Sequence, residues 1–126
     1  MNKRNFFVLA AVVLLSCGKD DETQVDLELP VISLTSPANG QVFSGGQSVA
    51  ITGSVTDNAR LREVHLEIIN TTTGAFVAHD HFYPESTSYN INRSFTVQAG
   101  IAYMIKVEAE DGKRNISRTE VNISSN

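Results

Sequence analysis

Residues 100–109 read Gly-Ile-Ala-Tyr-Met-Ile-Lys-Val-Glu-Ala. Every second side chain from Ile101 to Ala109 is apolar or aromatic, and Lys106 and Glu108 stand between them. A two-residue period belongs to a strand with one face in a core and the other in water. Gly100, just before the run, supplies a turn.

The same period extends in both directions. Residues 31–34 open it and Pro37, Asn39 and Gly40 break it; residues 41–43 continue it briefly before Gly45 and Gly46. Val49, Ile51, Gly53 and Val55 share one face. Val64, Leu66 and Ile68 point inward, against Glu63, His65 and Glu67 outward. Residues 71–74 form a hairpin turn into a strand over 75–83. Tyr89, Ile91, Arg93, Phe95 and Val97 alternate next, and Thr119, Val121 and Ile123 close the series. No amphipathic segment could serve as a crossover helix, which excludes an α/β fold. About seven half-buried strands with turns every 8–12 residues predict an all-β, immunoglobulin-like sandwich. Tyr103 begins the penultimate strand. There such sandwiches carry a tyrosine whose hydroxyl returns to an upstream backbone group.

The front of the chain has a different character. Lys3 and Arg4 precede an unbroken apolar run over residues 6–15. A bilayer-spanning helix needs about 18 such residues, whereas an export signal needs only about 7–15. Residues 14–17, Leu-Leu-Ser-Cys, resemble the lipobox of bacterial lipoproteins. That resemblance implies a signal peptide over 1–16 and acylation of Cys17 (palmitate among the chains), with the membrane reached through lipid alone. The following Gly18-Lys19-Asp20-Asp21-Glu22 resembles the export signal of Bacteroidetes-type lipoproteins. It implies that Lys19, Asp20, Asp21 and Glu22 direct the protein to the outer surface of the outer membrane. A solvated acidic tether is the plainer reading of the same charges. Removing residues 1–16 takes two bases and no acid, so the formal charge moves from −4 to −6. Residues 17–29 then read as a tether, and 30–126 as the domain.

Within the domain, Pro30-Val31-Ile32-Ser33-Leu34-Thr35-Ser36-Pro37-Ala38-Asn39-Gly40 resembles the opening of bacterial Ig-like domains of secreted and surface proteins. Residues 54–58, Ser-Val-Thr-Asp-Asn, and 107–112, Val-Glu-Ala-Glu-Asp-Gly, extend the resemblance across about 30–124. It implies a spacer, adhesive or accessory module with no catalytic residues. The expected function is non-catalytic binding, with a protein or glycan partner and no required cofactor.

Composition narrows the chemistry further. A single cysteine rules out an internal disulfide and any CxxC site. Net negative charge gives no footprint for nucleic acid. No G-x-S-x-G turn is present, so no nucleophile declares itself. Two sets of potential ligands remain. Asp57 and Asn58 follow the second strand, and Glu110 and Asp111 follow the sixth, at one end of an Ig-like sandwich. Their oxygens suit calcium, although Asx-turns call for the same residue types. The chain's three histidines lie in one hairpin. With a three-residue loop, 72–74, His65 stands opposite His81 and Glu67 opposite His79. All four then face outward with ligands suited to zinc. A four-residue loop slips the register by one and turns His79 and His81 to the core. Side chains more than about 8 Å apart could not share an ion at ligand distances near 2 Å. Exposed histidines without an ion remain the plainer alternative. For glycans the candidate surface is aromatic. Trp is absent, and Phe43, Phe76, Phe82, Tyr83 and Tyr89 cannot all be core.

Overall fold

Alternation along the chain becomes eight strands in a computed structural model that describes residues 25–126. The export segment, Cys17 and residues 19–22 lie outside the described residues. The strands are β1 (Val31–Ser36), β2 (Val42–Phe43), β3 (Ser48–Thr56), β4 (Leu61–Asn70), β5 (Phe76–Phe82), β6 (Ser88–Thr96), β7 (Ala102–Asp111) and β8 (Ile116–Ser125). One sheet has the order β1-β3-β6 and the other β2-β8-β7-β4-β5. This is the expected all-β sandwich, with one strand more than the sequence suggested. The extra one is β2. It leaves the sheet of β1 and pairs in parallel with Ser124 and Ser125 of β8.

The inward faces are those the two-residue period assigns. Val49, Ile51 and Val55 of β3 meet Val64, Leu66 and Ile68 of β4 and Ile105, Val107 and Ala109 of β7, all essentially without solvent contact. Each larger aliphatic side chain buried in this way contributes about 1.5–3 kcal/mol of transfer free energy. Gly53 interrupts the β3 series because β1 passes too close. A Cβ there would lie 2.3 Å from the Ser33 carbonyl oxygen, beside the irregular pairing of Leu34 and Ser36. Arg93 also sits in a core-facing series yet stays 46% exposed at the side chain. It can do so because β6 is an edge strand, where the guanidinium reaches water. Its Nε lies 2.9 Å from Asp80 Oδ2 on β5, so the pair ties the margins of the two sheets together.

Tyr103 occupies the corner expected of it. Its ring is 3% exposed and meets Phe95 edge to face at 5.3 Å between centroids. Its hydroxyl accepts a hydrogen bond from the Gln98 N–H at 2.9 Å. The strands also define two poles. At one, Val31 pairs with Thr56 and Leu61 with Asp111; at the other, Ser48 pairs with Thr96 and Ala102 with Ser124. The chain reaches β1 through Pro30 at the first pole. Asn126 lies at the second, bonded to Phe43 and Gly45.

Candidate functional site

The β4–β5 hairpin begins with a turn of four residues, not three. Asn70 and Ala75 flank it, with the Asn70 N–H donating to the Ala75 carbonyl at 2.9 Å. The Asn70 side-chain oxygen accepts the Thr72 and Thr73 N–H groups, and Gly74 takes a φ of 73°. Left uncorrected, this loop would place His79 and His81 on the core face. A β-bulge corrects it. Ile69 pairs with Phe76 but Ile68 pairs with Ala78, so Val77 is the extra residue. One inserted residue restores the even register. His65 therefore stands opposite His81 and Glu67 opposite His79, as expected, though by a different device.

On the outer face the pairings line up in rows across the sheet. One row runs His79, Glu67, Lys106, Glu120, and the next His81, His65, Glu108, Arg118. One ring nitrogen from each histidine lies within 4.8 Å of the others. The His65 and His81 rings meet edge to face at 3.8 Å between centroids, and His79 is 4.7 Å from His81 and 5.9 Å from His65. Phe76 stacks on His79 at 4.9 Å.

Glu67, expected among the ligands, has a different place. Its Oε1 lies 3.4 Å from His79 Nε2 and its Oε2 2.6 Å from Lys106 Nζ, and the residue is buried beneath them. The carboxylate that reaches two imidazoles is Glu63, whose Oε1 is 2.8 Å from both His65 Nε2 and His81 Nδ1. These contacts hold its carboxyl at about 2: the hydrogen bond from His81 acts most strongly, and with His65 it outweighs burial, which alone would raise the value. The Glu63 charge in turn raises the Tyr83 phenol. Sequence spacing could have revealed Glu63, because it is two residues before His65 and therefore on the same face. Beside it, Glu63, His65, Glu108 and Glu110 line a cleft of about 10 Å³, room for one water.

The expected calcium set does not assemble. Glu110 and Asp111 are the last residues of β7, not loop residues, and successive strand side chains point to opposite faces. Glu110 turns outward to Arg62 and Arg114, at 2.9 and 3.0 Å. Asp111 turns inward and is fully buried. Asn58 donates to Asp26 Oδ1 at 3.3 Å. The carboxylates that do meet are Asp26, Asp57 and Asp111, with one oxygen of each within 4.8 Å of the others. Asp26 falls within the expected tether, yet its carbonyl accepts a hydrogen bond from Asn115 Nδ2 at 3.0 Å. Burial raises the Asp57 carboxyl, and Asp111 and Asp26 add to the rise. Burial would also raise Asp111, but hydrogen bonds from Asn115, Lys113 and Arg114 outweigh it and leave the group lowered. The Asx-turn reading explains the geometry at Asp57 and Asp111, whose side-chain oxygens accept the N–H of Ala59 and of Lys113.

Of the five aromatics, Phe43 is core, and Phe82 and Tyr89 are half-buried and stacked at 5.2 Å. Phe76 and Tyr83 remain exposed.

Solved structures share the architecture. A point variant of a superoxide reductase (neelaredoxin) from Ignicoccus hospitalis is 10% identical with a TM-score of 0.54, the match covering 78% of this chain and 80% of that one. Another point variant of the same enzyme gives a TM-score of 0.55 at the same identity and coverage. A fibronectin(III)-like module of Clostridium thermocellum CbhA is 18% identical with a TM-score of 0.48, over 75% of this chain and 96% of that one. At 10% identity the likeness to the superoxide reductase concerns the fold alone. Comparison with curated proteins finds no match. The bacterial Ig domain family model matches residues 30–106, more than half of the chain. The chain belongs to the bacterial Ig domain family.

Proposed function

We propose that the protein is an outer-membrane lipoprotein displayed at the cell surface, whose Ig-like domain is a non-catalytic module for binding a protein or glycan partner. The observation that carries this reading is the position of Cys17. The chain's one cysteine stands between the apolar run of residues 6–15 and the charged Lys19-Asp20-Asp21-Glu22. Two or more acyl chains on one residue give stable anchoring, where a single chain does not. Membership in the bacterial Ig domain family supports the module reading, since function on such a scaffold resides in grafted surfaces. Here the surface is the outer face of β2-β8-β7-β4-β5, and Phe76, which opens β5, and Tyr83, just after its end, are exposed aromatics open to a glycan.

Metabolic labelling with a fatty-acid probe tests the anchor. Wild type should carry label and sediment with membranes, and Cys17→Ala should do neither. Equal labelling of the two would refute the reading. A protease added to intact cells tests the address. Wild type should be cleaved, and a variant with neutral residues at 19–22 should be protected. Unchanged accessibility would reduce those charges to a tether.

A further inference from the structure

Three imidazoles meet on one rigid hairpin face, and they are all the histidines the chain has. The backbone fixes their placement. His65 and His81 are directly opposed, His79 is two residues along from His81, and β4 is itself held by β7 on its other side. Every ring has one nitrogen turned to a carboxylate: His65 Nε2 and His81 Nδ1 to Glu63, His79 Nε2 to Glu67. The second nitrogen of each has no hydrogen-bond partner among the described residues. A carboxylate behind an imidazole is the usual outer partner of a metal-bound histidine, because it fixes the ring and strengthens its lone pair.

We infer that His65, His79 and His81 form a three-imidazole site for a borderline divalent ion of the zinc type, leaving a fourth position open to water or to a partner's side chain. Imidazole nitrogen suits zinc, copper and nickel and not calcium or magnesium. Tetrahedral zinc with ligands at about 2.0–2.1 Å needs nitrogens roughly 3.3–3.4 Å apart. One nitrogen of each ring already lies within 4.8 Å of the others, so binding requires the rings to rotate inward, and their side-chain exposures of 24, 42 and 37% for His65, His79 and His81 leave room for it. Of the acids beside the rings, Glu67, Glu108 and Glu110 are each engaged by a base, Lys106, Arg118 and the pair Arg62 and Arg114, whereas the ion-pair contacts of Glu63 are to the imidazoles themselves. The site is independent of the anchor, so its failure would leave the lipoprotein reading standing, and the reverse.

The test uses the full chain extracted in mild detergent, with zinc alone as probe. Equilibrium dialysis at pH 7.5 should give one zinc per chain at micromolar metal. His79→Ala or His81→Ala should weaken binding at least as much as the about 10–100-fold typical of losing an outer partner. The double variant should lose it altogether. X-ray absorption of the loaded protein should show three nitrogens at about 2.0–2.1 Å. Both histidines face outward, so the variants should keep the wild-type circular dichroism. Should alanine perturb folding, His79→Gln and His81→Gln carry the same comparison. No zinc retained at pH 7.5 would overturn the inference. So would binding indifferent to both substitutions, or an all-oxygen shell that places the ion at Asp26, Asp57 and Asp111.

Discussion

Truncating Tyr103 to alanine should lower the unfolding free energy of the domain by about 3–5 kcal/mol, the scale for removing a buried aromatic ring. The ring is 3% exposed and fills space against Phe95, so the cavity left behind has little means of collapse. A second loss adds to the first. The Gln98 N–H, which donates to the phenolic oxygen at 2.9 Å, would have to find water or go unpaired. Tyr103→Phe separates the two contributions. It keeps the ring and removes only the hydrogen bond, at a cost of about 0.5–1.5 kcal/mol. Urea unfolding followed by circular dichroism measures both. For a domain of this size the alanine variant should melt about 12 °C or more below wild type. An alanine variant within about 1 kcal/mol of wild type would show that the corner does not hold the β6–β7 connection.

Asp111→Ala should cost about 2–4 kcal/mol, since hydrogen bonds to a buried charge are worth more than neutral ones and their loss strands donors. Asp111 is fully buried, and its Oδ1 accepts the Lys113 and Asn115 N–H groups at 2.7 and 2.9 Å. Its Oδ2 accepts from Asn115 Nδ2 at 2.8 Å, so this one carboxylate organises the whole β7–β8 turn. The loss should depend on pH in a definite sense. The folded-state value lies below the ordinary 3.8, so the stabilising contribution is complete above that pH and declines as pH falls below it. The difference between wild type and Asp111→Ala should therefore be constant from about pH 7 to about pH 5 and shrink in stronger acid. A difference that persists unchanged at about pH 2 would mean that the turn, not the charge, carries the cost.

Period-2 alternation made the core legible because one face of each central strand is sealed. The inward residues of β3, β4 and β7 follow it with Gly53 as the explained exception. Parity also accounts for the calcium ligands. Extending the alternation of β7 by two residues sends Glu110 outward and Asp111 inward, which separates them. The histidine register was harder. Turn length alone allowed either face, and the outcome rests on a bulge at Val77, where nothing local marks an extra residue. A bulge is decided by how two strands pair, and that information is spread over both strands and their burial. For the same reason the pairing of the short β2 with β8 and the docking of Asp26 on Asn115 were illegible: each depends on a partner more than 80 residues away in the chain.

The separation of the two poles has a consequence for how the molecule would stand. Residues 25–30 arrive at the Asp57 and Asp111 end, so under the proposed lipid anchor that end is the one joined to the membrane. Ten-residue strands then lift the Thr72–Thr73 tip and Asn126 about 30 Å above it. The histidine-bearing sheet becomes a wall facing sideways. Under the same proposed anchor, a fusion at Asn126 would sit at the pole away from the membrane and leave that face unobstructed.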